Sequence, residues 1–297
     1  MKEPEKLEVV DLHESEGGAR LAISYIPLPE LMPTVSLDRV RSTLRFLERS
    51  DVKTVVIPPF MPHCVISPPN DNYERYSISK KDPYVKVLRQ FARLSGLNLI
   101  SPYVFEKSRR GVYISNLFIE GRTGIALFTN RMVLCNTCQD TKTIHYGNSL
   151  EMLSDDYINY AILLDKDALM PEFARILTYM GAHIVLTTLS PALLSDQAFR
   201  ILVEISHIIG ISIVHVGYYV TGERQHKAPL LIIDRGEVMF RYEGDSPLLV
   251  TTPVKIIKES RRLGQLEVDE RLLLILYNHL KKLMKLKRRK RPTSNEG

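Results

Sequence analysis

The chain has 297 residues, 44% of them hydrophobic and 25% charged, with a net charge of +6. These proportions exclude a disordered or fibrous chain and suffice for one large domain or two small ones. No run approaches the roughly 18 apolar residues of a membrane-spanning helix, and the charged opening "MKEPEKLEVVDLHESEGG" is unlike a signal or transit peptide, so a cytoplasmic protein is expected.

In chain order, apolar and β-branched runs predict strands at Leu21–Ile26, Thr54–Ile57, Asn98–Val104, Val112–Ile119, Ile125–Thr129 and Ile158–Leu164. Further strands are expected at His183–Thr188, Ser212–Tyr219, Leu230–Ile233, Val238–Tyr242 and Leu248–Val250. Amphipathic stretches between them predict helices at Ser36–Ser50, Tyr84–Ser95, Pro171–Met180 and Ala192–Ile209. In the first, Leu37, Val40, Leu44 and Leu47 form one stripe. Gly121 and Gly124 lie in one tight connection and "DRGE", Asp234 to Glu237, makes another, so both flanking strand pairs read as hairpins. Hairpins mixed with strand–helix–strand units predict an α/β fold with two mixed sheets.

The segment from Ile57 to Asp82 holds Pro58, Pro59, Pro62, Pro68 and Pro69. A loop of this length is either a proline-stiffened surface excursion or a pocket wall or interface, and its place directly after a strand favours the second. Cys135 and Cys138 form a lone CxxC; His145 follows, but no second pair completes a zinc ligand set. Structural zinc and a redox pair therefore stay open beside the favoured reading of two incidental thiols. No motif implies a cofactor.

The expected organisation is an N-terminal extension over 1–20, one domain over 21–255, and a C-terminal helix and basic tail over 256–297. Within the last, Val268–Arg291 reads as a helix that docks Leu272, Leu273, Ile275, Leu276, Leu280 and Leu283. Its end carries Lys281, Lys282, Lys285, Lys287, Arg288, Arg289, Lys290 and Arg291 with no acid among them. Without these eight the 40 basic residues fall to 32, against 34 acidic, so all the excess positive charge sits there. The tail is either a solvated basic end or a nucleic-acid contact made through phosphates without sequence reading, since no aromatic follows Tyr277. An acidic membrane surface is the runner-up partner.

Three local sequences, taken in order, resemble the nitrilase, or carbon-nitrogen hydrolase, superfamily. "TVVIPPF" is similar to the family's strand ending in P-E, with Pro59 at the glutamate position. "GIALFTNRMVL" places Arg131 where the family has its lysine, and "LDKDALMPEFAR" places Asp165 where it has its cysteine. The last keeps Asp167, Pro171, Glu172, Ala174 and Arg175 of the family pattern, and "YMGAHIVLTT", "VEISHIIGISIVHVG" and "LLIIDRGEVM" resemble its framework segments. The resemblance implies a four-layer α-β-β-α sandwich, paired as a homodimer, here through Pro171–Met180 and Ala192–Ile209. It also implies a pocket formed by Arg131, Asp165, Asp167 and Glu172, in which Asp167, Glu172 and Arg175 brace the turn and helix.

The family's glutamate takes the thiol proton, the thiolate attacks an amide or nitrile carbon, and the lysine supports the anionic intermediate. Pro59 has no side-chain base, and the Arg131 guanidinium holds its proton too tightly to transfer it. An Asp165 carboxylate attacking an amide would form an anhydride that the departing amine readily reopens. No catalytic residue is therefore assigned. Two functions stay open: a non-catalytic interaction or ligand-binding module, and an amide hydrolase with rearranged chemistry, for which Cys64 beside His63 is the replacement nucleophile. His207 and His215 lie in apolar contexts and read as core histidines. Arg131 and Asp165 are expected to form a salt bridge, the alternative being that Asp165 caps its own turn while Arg131 faces solvent.

Overall fold

The structure, a computed structural model, describes residues 7–12, 20–47, 50–66, 68, 72–134, 144–155, 158–222 and 225–253. Cys135, Cys138 and the expected C-terminal helix with its basic end lie outside the described residues. The first elements are β1 (Glu8–Asp11), β2 (Arg20–Tyr25), β3 (Pro27–Pro29), α1 (Pro33–Leu47), β4 (Val52–Val56), α2 (Tyr73–Tyr76) and α3 (Pro83–Ser95). Next come β5 (Asn98–Ser108), β6 (Gly111–Ile119), β7 (Ala126–Thr129), β8 (Ile144–His145), β9 (Met152–Ser154), β10 (Asn159–Leu164), α4 (Pro171–Tyr179) and β11 (Ile184–Thr188). The rest are α5 (Asp196–Ile209), β12 (Ser212–His215), β13 (Tyr218–Thr221), β14 (His226–Ala228), β15 (Leu230–Asp234), β16 (Glu237–Tyr242) and β17 (Leu248–Pro253).

One sheet runs β1-β17-β2-β4-β5-β6-β7 with β8 beside β6, and a second runs β16-β15-β12-β11-β10-β9. Both are mixed, as the hairpin pattern predicts: β2, β4 and β5 are mutually parallel, as are β10, β11 and β12, while β5-β6-β7 and β12-β15-β16 turn back antiparallel. Side-chain alternation sorts the layers. On β10, Ala161 and Leu163 pack with Ala174 and Leu177 of α4 and Leu202 and Ile205 of α5. Tyr160, Ile162 and Leu164, pointing the other way, join the core shared with the first sheet, to which α1 and α3 contribute Val40, Leu44, Val85 and Leu88. This is the α-β-β-α sandwich. Among the described residues no helix is long and apolar enough to cross a membrane.

Several boundaries move for identifiable reasons. The expected strand Ser212–Tyr219 breaks at Gly217, where a Cβ would collide with the Pro229–Leu230 backbone. The first half joins the second sheet and the second half pairs with β3. Helix α5 starts four residues later than expected from Ala192, because Ser195 accepts from Ala198 N at 3.1 Å and caps it there. In the nominal extension, Glu8–Asp11 runs parallel to β17. The proline loop turns inward after β4: Pro58 to Pro62 and Cys64 to Ile66 are buried, and Phe60 N donates to Tyr103 O at 3.0 Å. This part of the loop belongs to the core and is not a surface excursion.

The "DRGE" connection holds Arg235 at φ 48° and Gly236 at φ 89°, the two left-handed residues of a hairpin turn that follows the sheet's own twist. A Cβ on Gly236 would also meet His207 Cβ at 2.7 Å. Gly236→Ala is expected to destabilise the fold by about 1–2 kcal/mol in urea titrations, whereas the same change at an exposed glycine of ordinary φ costs nothing comparable.

Candidate functional site

Strand β10 ends at Leu164 and the chain enters a 3-10 turn over Asp165–Leu169 before Pro171 opens α4. Asp165 sits at this strand–turn–helix elbow in the left-handed region, at φ 50°, and is fully buried. Aspartate tolerates that conformation better than most residues because its short polar side chain bonds locally. Other non-glycine residues with positive φ include Phe60 (63°) in the loop after β4, Tyr103 (58°) at the irregularity of β5 and Asn130 (52°) just past β7. Backbone strain of this kind clusters at functional sites.

Both oxygens of Asp165 are engaged. Tyr103 Oη donates to Oδ2 at 2.5 Å, and the Ser190 backbone N–H, just beyond parallel β11, donates to Oδ1 at 2.6 Å. Burial, and then the neighbouring Asp165 charge, raise the Tyr103 phenol well above its usual range, so it serves as a neutral donor. The Phe60 ring packs against Tyr103 at 4.5 Å and edge-on to Tyr218 at 5.0 Å between centroids. All three rings are buried, so aromatic side chains fill the space beside the elbow.

The expected pairing of Arg131 is corrected. Its Nε and Nη2 close on Glu106 Oε2 and Oε1 at 2.8 and 2.6 Å instead of on Asp165, and its guanidinium stacks 4.1 Å from the Tyr113 ring centre. Burial explains the choice. The Arg131 side chain stays 39% exposed in this pairing, so it keeps part of its hydration. At Asp165 it would have to displace two satisfied donors and become fully desolvated. The capping alternative is met only partly: a backbone N–H does reach Asp165, but from Ser190 and not from its own turn, and Arg131 faces Glu106 and Tyr113 at the rim.

Of the other residues singled out, Pro59 is buried after β4 and carries no titrating group. Asp167 accepts from Val133 N at 2.7 Å and Leu134 N at 2.8 Å, tying the segment after Arg131 to the elbow. Glu172 and Arg175 are exposed on α4. Cys64 is buried, its thiol pushed up to about 12 by burial and 3.4 Å from Ser36 Oγ, while the His63 ring lies edge-on to Tyr76. That thiol is not an available nucleophile. His215 is a core histidine as expected: Nδ1 meets Pro229 O at 2.7 Å and Nε2 accepts from Leu189 N at 3.3 Å. His207 is not, since it lies on the exposed face of α5 with Nδ1 3.3 Å from Arg235 O.

Sequence reasoning missed Phe60, Tyr103, Glu106, Ser190 and Tyr218. One signal was present: Pro102 inside a strand marks an irregularity, and the β5–β6 register indeed shifts between Ser101 and Val104, which is what aims Tyr103 at the elbow. Two clefts lie elsewhere, one along α3 and one lined by Lys53, Asn98, Glu120, Arg122 and Asp155 among others.

The architecture is that of nitrilase-superfamily amidases. A cysteine-to-serine variant of the Nesterenkonia AN1 amidase from the nitrilase superfamily superposes with a TM-score of 0.66 at 16% identity, over 82% of this chain and 95% of that one. A variant of the same amidase in complex with butyramide gives 0.66 at 17% identity over 82% and 95%. A third, whose active-site cysteine carries the acetamide moiety of fluoroacetamide, gives 0.66 at 17% over 84% and 96%. At the level of sequence, no family profile and no curated protein matches.

Two measurements check the site. Asp165→Ala strands the Tyr103 hydroxyl and the Ser190 N–H in the core and is expected to cost about 2–4 kcal/mol in urea unfolding. Asp165→Asn keeps a short polar chain at positive φ and is expected to cost less. The second concerns pH. Burial raises the Asp167 carboxyl to about 6, against the two backbone donors that favour its charge, while burial lowers His215 to about 4. Folded Asp167 thus holds its proton longer than the unfolded chain does, so stability falls as pH rises from about 4 to 6. His215 acts oppositely, since only the unfolded chain takes up its proton below about 6.5, and stability falls as pH drops from there to about 4. The two slopes offset each other. Asp167→Asn is expected to unmask the histidine slope, steepening the loss of stability between pH 6.5 and 4 by on the order of 1–2 kcal/mol after allowance for solvent screening.

Proposed function

We propose that the chain is a non-catalytic member of the nitrilase superfamily that works as an interaction or ligand-binding module. The observation that supports this reading is the elbow: the residue that the resemblance puts in the nucleophile's place is a buried carboxylate with both oxygens hydrogen-bonded, one by Tyr103 and one by the Ser190 backbone. Hydrolysis of an amide in this manner needs a thiolate, a base to make it and a cation to steady the tetrahedral oxyanion. Here the base position is Pro59, and the cation at Arg131 is committed to Glu106. The basic end Lys281–Arg291 contributes, in this reading, a phosphate-contacting tail. A homodimer across α4 and α5 fits the exposure of Ile176, Tyr179, Met180 and Ile208 there, while Leu177 is in the core.

The second reading, a carbon-nitrogen hydrolase with a rearranged site, draws on the amidase neighbours and their amide ligands. Its replacement nucleophile, Cys64, is a buried thiol with a raised pKa, which disfavours it. An amide hydrolysis assay over short amides, butyramide included, separates the two. No turnover above the buffer blank is expected from the wild type, from Cys64→Ala or from Asp165→Cys, because Pro59 offers a restored thiol no base. Wild-type turnover abolished by Cys64→Ala would establish the second reading, and turnover gained by Asp165→Cys would overturn the reasoning from Pro59.

A further inference from the structure

The two outer helix layers carry different charge. Helix α1 holds Arg39, Arg41 and Arg45 against Asp38, and α3 holds Lys86, Arg89 and Arg93 with no acid. On the opposite side α4 has Glu172 and Arg175, and α5 has Asp196, Arg200 and Glu204, so that layer is close to neutral. The excess is organised, because Lys86, Arg89, Gln90, Arg93 and Leu94 fall on one arc of α3 and line a groove of about 450 Å³.

Further cations lie on the elements that pack beside α3. On the α1 side the Arg41 guanidinium sits 5.4 Å over the Phe91 ring, and Arg45 follows one turn along the same face. On the other side Arg89 Nε donates to Gly124 O at 2.6 Å and the Arg93 stem packs on Gly124, which fixes the turn that carries exposed Arg122. Arg41, Arg45, Lys86, Arg89, Arg93 and Arg122 are all exposed, and among the described residues none has a carboxylate partner. Of these, Lys86, Arg89 and Arg93 line the groove itself and repel one another, an arrangement that a bound polyanion relieves.

We propose that this groove binds single-stranded nucleic acid. Arginine forks match phosphate oxygens in pairs, and a concave basic track suits a single strand, which can enter it, better than a bilayer surface, which cannot reach its floor. Leu94, which lines the groove and is 76% exposed, offers apolar surface to unstacked bases. The groove is built from residues separate from the basic tail, so it stands or falls independently of the tail's role.

Fluorescence anisotropy with a labelled oligouridine of about 20 nucleotides tests it on the full-length chain. Lys86→Glu, Arg89→Glu and Arg93→Glu combined are expected to weaken binding at least tenfold and to lower the slope of log affinity against log salt by about 2. The corresponding Gln set is expected to do the same in smaller measure, and it decides the matter if the Glu set melts early. A chain with Lys285, Lys287, Arg288, Arg289, Lys290 and Arg291 changed to Gln is expected to retain binding that still depends on the groove residues. Wild-type affinity in a normally melting groove variant, no binding by the wild type, or loss of phosphatidylserine-vesicle binding with oligouridine binding untouched would each overturn the proposal.

Discussion

A carboxylate buried completely, at a backbone angle few residues accept, has to be supplied with hydrogen-bond donors or the fold loses several kcal/mol. At Asp165 the donors come from distant parts of the chain. The Tyr103 hydroxyl crosses from the irregular middle of β5 in one sheet, and the Ser190 N–H comes from just beyond β11, the strand beside β10 in the other. The same elbow reaches a third segment through Asp167, which holds the backbone just past Arg131. One turn of chain therefore clamps both sheets and the post-β7 segment together at the carboxyl ends of β10 and β11, the edge where open α/β sheets keep their sites.

The placement of the charges follows from desolvation. Arg131 and Glu106 form a bidentate pair at the rim, where the arginine retains partial hydration and an aromatic face. Asp165, deeper, is matched to a neutral phenol and an amide, donors whose own burial is inexpensive when paired. The sequence resemblance leads one to expect Arg131 and Asp165 to face each other across one pocket. In three dimensions each has found a partner of its own depth.

How much of this was legible in the sequence depended on range. Period-two and period-3.6 patterns located most strands and helices, and the elbow was readable because strand, charged turn and Pro171 follow one another locally. Glu106 and Tyr103 were not readable as site residues, since their role depends on the β5–β6 register shift and on partners 25 and 62 residues away. His207 and His215 look alike in sequence, both among isoleucines and valines. Only strand pairing puts the second between α5 and the sheet, while the first falls on the outer face of its helix.

The elbow also shows why a preserved framework says little about chemistry. A left-handed residue between strand and helix is held in place by its surroundings: the Asp167 clamp, the 3-10 turn, and the fixed φ of Pro171 at the start of α4. None of these contacts involves a nucleophile. Once they are present, the position accepts any side chain that tolerates positive φ and satisfies its buried neighbours, and aspartate does both through Tyr103 and Ser190. Asp167, Pro171 and the turn are then required by folding alone, and the identity of the residue at the elbow, not the elbow itself, decides what the site can do.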